Sequence, residues 1–86
     1  MRTSRQNDVQ RAVLTALSRI PAGFLMTEDM LLADSARQLL PRATVGEISA
    51  EIQHADLLRR LSGIQTEDGT KYQITDGGRL WLQNNS

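Results

Sequence analysis

The sequence predicts a small α+β domain: three amphipathic helices, a β-hairpin, and a short final helix. Three observations predict it. Apolar residues recur at helical spacing over three separate stretches. An Asp68-Gly69 pair stands between two alternating runs, a strong signal for a hairpin. The chain has 86 residues, 40% hydrophobic and 23% charged, which suits one domain with a modest core.

The first stretch is Val9, Ala12, Val13, Ala16, Leu17 and Ile20, one apolar face of a helix expected over 6–19. Ser4 or Asn7 can cap its start, and Pro21-Ala22-Gly23 stops it. Phe24-Leu25-Met26 is too short for a helix and reads as a small strand. Thr27 then serves as an N-cap, with Glu28 and Asp29 in the first turn, where the helix dipole favours acids. Leu32, Ala36, Leu39 and Leu40 carry a second helix over 28–40, ended by Pro41.

Thr44-Val45-Gly46-Glu47 has the form of a capping box and opens a third helix over 45–61. Val45, Ile48, Ile52 and Ala55 make its inner face, and Gly63 is the expected residue just past its end. Ile64 to Glu67 and Thr70 to Ile74 alternate and form the hairpin, with Asp68-Gly69 as a type I′ turn. Ile64, Tyr72 and Ile74 are expected on its inner face. Thr75 caps a last helix whose apolar content is Leu80, Trp81 and Leu82. Residues 1–5 are expected as a flexible arm and 83–86 as a frayed tail.

Composition excludes several function classes. There is no cysteine and one histidine, His54, so disulfide scaffolds, thiol nucleophiles and histidine metal clusters are out. Asp76-Gly77-Gly78 lacks the spacing and the lysine of a phosphate loop. The chain is therefore not expected to be an enzyme, and no cofactor is implied. No apolar run approaches the length of a membrane span, and the start of the chain has no apolar leader core; the cytoplasm is the expected compartment. Net charge is zero, yet residues 1–43 hold six arginines against four acids, and 44–86 hold four bases against six acids.

The order of elements resembles a winged helix-turn-helix domain: a three-helix core, a two- to three-stranded β-wing and a short C-terminal helix. The residues that carry the resemblance are Pro41-Arg42-Ala43 between the second and third helices and the junction Leu57 to Ile64. Tyr72-Gln73-Ile74-Thr75-Asp76-Gly77-Gly78-Arg79-Leu80 adds a third, similar to the end of the wing in MarR-like and PadR-like bacterial regulators. The resemblance implies a transcriptional regulator that lays its third helix in the major groove of double-stranded DNA and touches the backbone with the wing.

Carried over by position, the groove-facing side of the third helix is Gly46, Ser49, Ala50, Gln53, His54 and Leu57. Gln53 has the donor–acceptor pair that matches adenine, and Ser49 can reach any base edge. Arg42, Thr44, Arg60 and Lys71 are the expected backbone contacts, with Arg2, Arg5 and Arg11 as a basic arm. Glu47 and Glu51 beside that face, and Glu67-Asp68 at the wing tip, oppose phosphate binding. The alternative is a winged helix that binds proteins rather than DNA. Met30, Leu31, Leu14 and Leu57 lie off the apolar stripes and suggest a homodimer through the first helix and the C-terminal helix.

Overall fold

The computed structural model describes residues 1–85. Its elements run α1 (Ser4–Ser18), β1 (Met26–Thr27), α2 (Glu28–Arg37), α3 (Val45–Leu57), β2 (Leu61–Thr66), β3 (Gly69–Ile74) and α4 (Asp76–Asn84). The strands form one antiparallel sheet in the order β1-β3-β2. No helix among the described residues is long and apolar enough to cross a membrane.

Helix α1 is the centre of the domain. It packs against α2, α3, α4 and β3, so nearly its whole circumference meets protein. That is why Leu14, expected off the core stripe, is fully buried together with Val9, Val13 and Leu17. The helix also starts earlier than its apolar pattern does. Thr3, rather than Ser4 or Asn7, is the N-cap: its hydroxyl accepts from the Gln6 amide at 3.0 Å while Gln6 Oε1 accepts from the Thr3 amide at 2.8 Å. A reciprocal cap of this kind satisfies two donors that a helix start leaves open.

Helix α2 is shorter than its apolar pattern. It stops at Arg37, and Gln38 turns its side-chain amide onto the Ala12 carbonyl of α1 at 2.9 Å. Leu40 beyond it is 97% exposed. Leu31, Ser35 and Ala36 are buried, Leu32 and Leu39 of the expected stripe pack partly buried against the core, and Leu40 alone of that stripe faces water. Leu31 is therefore core. Because Leu14 and Leu31 are fully buried, neither can contribute to the expected dimer contact.

Helix α3 starts as expected, with Thr44 and Glu47 closing a capping box. It ends four residues early. Arg59 takes a left-handed conformation (φ 58°), its amide donates to the Asp56 carbonyl at 3.0 Å, and the Arg60 amide donates to the Ala55 carbonyl at 2.8 Å. This is a Schellman ending with an arginine where glycine is usual. Gly63 is freed to sit in β2, directly opposite Tyr72. A Cβ at Gly63 would lie 3.2 Å from the Tyr72 ring, so its bare backbone admits the aromatic side chain.

The hairpin differs from expectation by one residue. Its loop is Glu67-Asp68 between the paired Thr66 and Gly69. Of these only Gly69 has positive φ, at 106°, so the turn is not type I′, which needs positive φ at both central residues. The Thr66 hydroxyl holds the loop, donating to the Gly69 carbonyl at 2.6 Å and accepting from the Asp68 amide at 3.2 Å. In this register Leu61 faces Ile74 and Gly63 faces Tyr72, which leaves Ile64 on the opposite, exposed face with Lys71. A shift of one residue reverses every side chain in a strand.

Strand β1 pairs Met26 with Tyr72 and Thr27 with Lys71; Phe24 and Leu25 precede it. Thr75 caps α4 as expected. Gly78 brings that helix against the start of β2, where a Cβ would come within 2.0 Å of the Arg60 carbonyl oxygen. Gln83 and Asn84, expected in a frayed tail, form the last turn of α4. Ser86 lies outside the described residues.

Candidate nucleic-acid interface

Helix α3 has two sides with opposite electrostatics. Its inner side presents Ile48, Glu51, Ile52 and Ala55 to the core. Its outer side presents Gly46, Ala50, Gln53 and Leu57, all exposed, with Ser49 and His54 half-exposed. The outer side carries no cation, and its one acid is the exposed Asp56 near the C-terminal end.

The two glutamates expected to repel phosphate are turned toward α1 and discharged there. Glu51 is 3% exposed and receives three donors: Arg2 makes a charged pair with it, its second guanidinium nitrogen lies 3.4 Å from Oε2, and Gln10 Nε2 donates to Oε1 at 3.0 Å. Glu47 accepts from Arg5 Nε at 2.8 Å and from Arg5 NH2 at 3.3 Å. The Arg5 hydrogen bonds, then the bond from the Thr44 amide, hold the Glu47 carboxyl down at about 2. A buried carboxylate is tolerated only when its lone pairs are filled by charged or polar donors, a condition Glu51 meets; Glu47 is half-exposed and pairs with Arg5 at the surface. Arg2 and Arg5 therefore do not form a free basic arm.

Arg60, expected to grip phosphate, is committed inward as well. Its NH1 donates to Gln10 Oε1 at 2.5 Å, and its guanidinium lies 4.8 Å from the centroid of the Trp81 ring. Burial, and then the nearby positive charge of Arg2, depress its pKa. The result is one continuous polar chain, Arg2–Glu51–Gln10–Arg60, ending on Trp81. It ties α1, α3, the start of β2 and α4 together. Trp81 is half-buried against the core and covered on one face by Arg60.

Arg42 is exposed in the loop before α3, and Lys71 is half-exposed on the outer face of the sheet; neither forms an ion pair among the described residues. Thr44 is exposed, with its hydroxyl accepting from the Glu47 amide at 3.1 Å. Ser49 and Gln53 lie on the outer side of α3. Arg11 pairs with Asp8 at 3.0 Å and donates to the Asn85 carbonyl at 2.6 Å, so it too is engaged with its own chain.

Sequence reading missed Gln10 and Glu51 as core residues, although a signal was present. Gln10, Val13, Leu14 and Leu17 follow the spacing i, i+3, i+4, i+7, and so do Ile48, Glu51, Ile52 and Ala55. A single polar residue on each apolar stripe marks a pair meant to meet inside.

A second surface stands on the other side of the domain. Ile20, Pro21, Phe24, Leu25, Met26 and Met30 line an apolar groove of about 370 Å³, with Phe24 67% and Met30 57% exposed. Compared with known proteins, the chain matches no family model, and no curated relative is significantly similar to it.

Proposed function

We propose that this domain is a winged helix that binds double-stranded DNA through α3 and acts as a transcriptional regulator. The observation that carries the reading is the discharge of α3. Its glutamates Glu47 and Glu51 are paired with Arg5 of α1 and with Arg2 just before it, so the outer side, with Ser49, Gln53 and His54 as its polar groups and Asp56 as its one acid, can approach a groove without the repulsion of those two glutamates. The element order is the one expected, and a three-stranded sheet fits a two- to three-stranded wing; both support the same reading. Arg42 ahead of α3 and Lys71 on β3 are the backbone-contact candidates that remain; Arg60 is not among them.

Few phosphate contacts mean weak affinity with a shallow salt dependence. Two cations give a log–log slope of about −2 per chain, against steeper slopes for strongly basic regulators. The test is an NMR titration of the labelled chain with duplex DNA at low and moderate salt. Amide shifts at Thr44 to Gln53 and near Lys71 are expected. R42A should weaken binding to all sequences alike and reduce the slope by about 1. Q53A should instead relax base preference, by about 1–3 kcal/mol at one position. Unchanged α3 amides at saturating DNA would overturn the reading.

The alternative, a protein-interaction module, is favoured by the apolar groove around Phe24 and Met30 and by the acidic loop Glu67-Asp68. Exposed apolar surface of this kind is commonly a contact for another protein. Under that reading a partner perturbs Phe24 and Met30 and leaves α3 unchanged.

A further inference from the structure

We propose that two copies of this chain associate by antiparallel pairing of the outer edge of β2 with the same edge of the second copy, giving one continuous six-stranded sheet. The two edges of the present sheet are built differently. At one edge, β1 is only two residues long and offers little to pair with. At the other, β2 is six residues long, Leu61-Ser62-Gly63-Ile64-Gln65-Thr66, with no charge and no proline. Its register with β3 runs from Leu61↔Ile74 to Thr66↔Gly69 without a bulge. Short length, lysine, proline and bulges are the usual protections of an edge strand, and β2 has none of them.

Groups on that edge are available at Gly63 and Gln65, both exposed, whereas Leu61 is 2% exposed and its end of the strand is covered. Outside the ladder with β3, the backbone of Leu61–Thr66 makes no hydrogen bond among the described residues. In an antiparallel ladder, alternate residues turn their amide and carbonyl toward the partner strand. The loop-closing pair Thr66–Gly69 does so, and hence also Ile64–Lys71 and Ser62–Gln73. Leu61, Gly63 and Gln65 send theirs outward.

Charge selects a second copy as the occupant and sets its register. Arg59 precedes β2, and Glu67 with Asp68 follows it. All three are exposed, and none forms an ion pair among the described residues. Antiparallel self-pairing centred on Gly63 places Arg59 of each copy against Glu67 of the other, twice by symmetry. The same register sets Leu61 against Gln65 and Gly63 against Gly63. These are the residues whose hydrogen-bonding groups point outward, so the charge match and the backbone match coincide. This inference does not depend on the DNA reading.

The experiment uses the full chain. Sedimentation velocity of the wild type should show a concentration-dependent dimer. R59E and E67R, each alone, set like charges opposite one another at two places and should weaken the dimer by about tenfold or more. Mixed in equal amounts, the two variants should pair with each other, because every opposed pair is then of opposite sign. Should either variant fail to fold, amide exchange of the wild type decides: Gly63 and Gln65 should gain protection as concentration rises, while Ile64, already bonded to β3, should not. A wild type monomeric at about 1 mM overturns the proposal. So does a dimer indifferent to both substitutions, or one whose Gly63 and Gln65 amides stay unprotected.

Discussion

The seam between α1 and α3 and the hairpin β2–β3 both carry charge, and they handle it in opposite ways. In the seam, Arg2, Arg5, Glu47, Glu51 and Arg60 each have a partner, and Gln10 joins the two ends. On the hairpin, Glu67, Asp68 and Lys71 make no ion pair among the described residues. Charge buried between the two helices, as at Glu51, must be matched, whereas charge at a solvated loop is left over for other molecules. Arg19, Arg42, Arg59, Lys71 and Arg79 make no ion pair among the described residues, so any contact with DNA or with a second copy that relies on charge is to be sought at these cations and at the hairpin tip. The arginines of α1 are already committed to the fold.

The strongest way to break this contrast is E51A. It leaves Arg2 and Gln10 without their acceptor inside the seam, and about 3 kcal/mol of stability should be lost in urea unfolding. Loss of only a few tenths would show that the seam is solvated like the hairpin. Next comes G78A, at the point where α4 meets the first residues of β2. Its methyl group collides with the Arg60 carbonyl, so about 2–3 kcal/mol should be lost, together with dispersion of the α4 amide signals. R60A follows, at about 1–2 kcal/mol, from the bond to Gln10 and the contact with Trp81. Trp81 fluorescence should shift to the red, and DNA affinity, corrected for the folded fraction, should stay near that of the wild type.

The smallest effect is one of pH. The Glu47 carboxyl is held at about 2 by Arg5 and the Thr44 amide, below its usual 4.5. A group depressed on folding contributes stability above its unfolded value, and that contribution disappears as pH falls through the folded one. Stability should therefore be flat from neutral pH down to about 5.5, then decline between about 4.5 and 2. E47Q should flatten that part of the profile, and chemical denaturation at pH 3 and pH 6 is the comparison to make.

Much of the fold was legible in the residues. The helix starts at Thr44, Thr27 and Thr75 were readable because a cap is a local matter: one hydroxyl bonds an amide three residues on. The existence of the hairpin was readable for a similar reason, from alternation on both sides of Asp68-Gly69. Helix ends were less so. Nothing at Arg59 announces a left-handed residue, and the third helix stops there because Leu61 must enter the sheet opposite Ile74. The inner face of β2 was misassigned through a turn of the wrong type, since one residue of register exchanges Ile64 for Leu61 in the core. On α3, the six residues read as its outer side, Gly46, Ser49, Ala50, Gln53, His54 and Leu57, are exposed or half-exposed, whereas Val45, read as inner, is 63% exposed. The commitment of Arg2, Arg5 and Arg60 to the fold was not legible, because their hydrogen-bond partners Glu51, Glu47 and Gln10 stand 42 or more positions away along the chain.

By itself, then, the sequence determined the number and order of the helices, where the last three of them begin, and the presence of a two-stranded ribbon. These depend on spacing and on bonds that span only a few residues. Tertiary structure alone decided which of the arginines are neutralised, which leucines face water, and which face of the ribbon is covered. Those outcomes depend on which distant groups meet once α1 is surrounded, and pairing between distant groups leaves only a faint trace in local order.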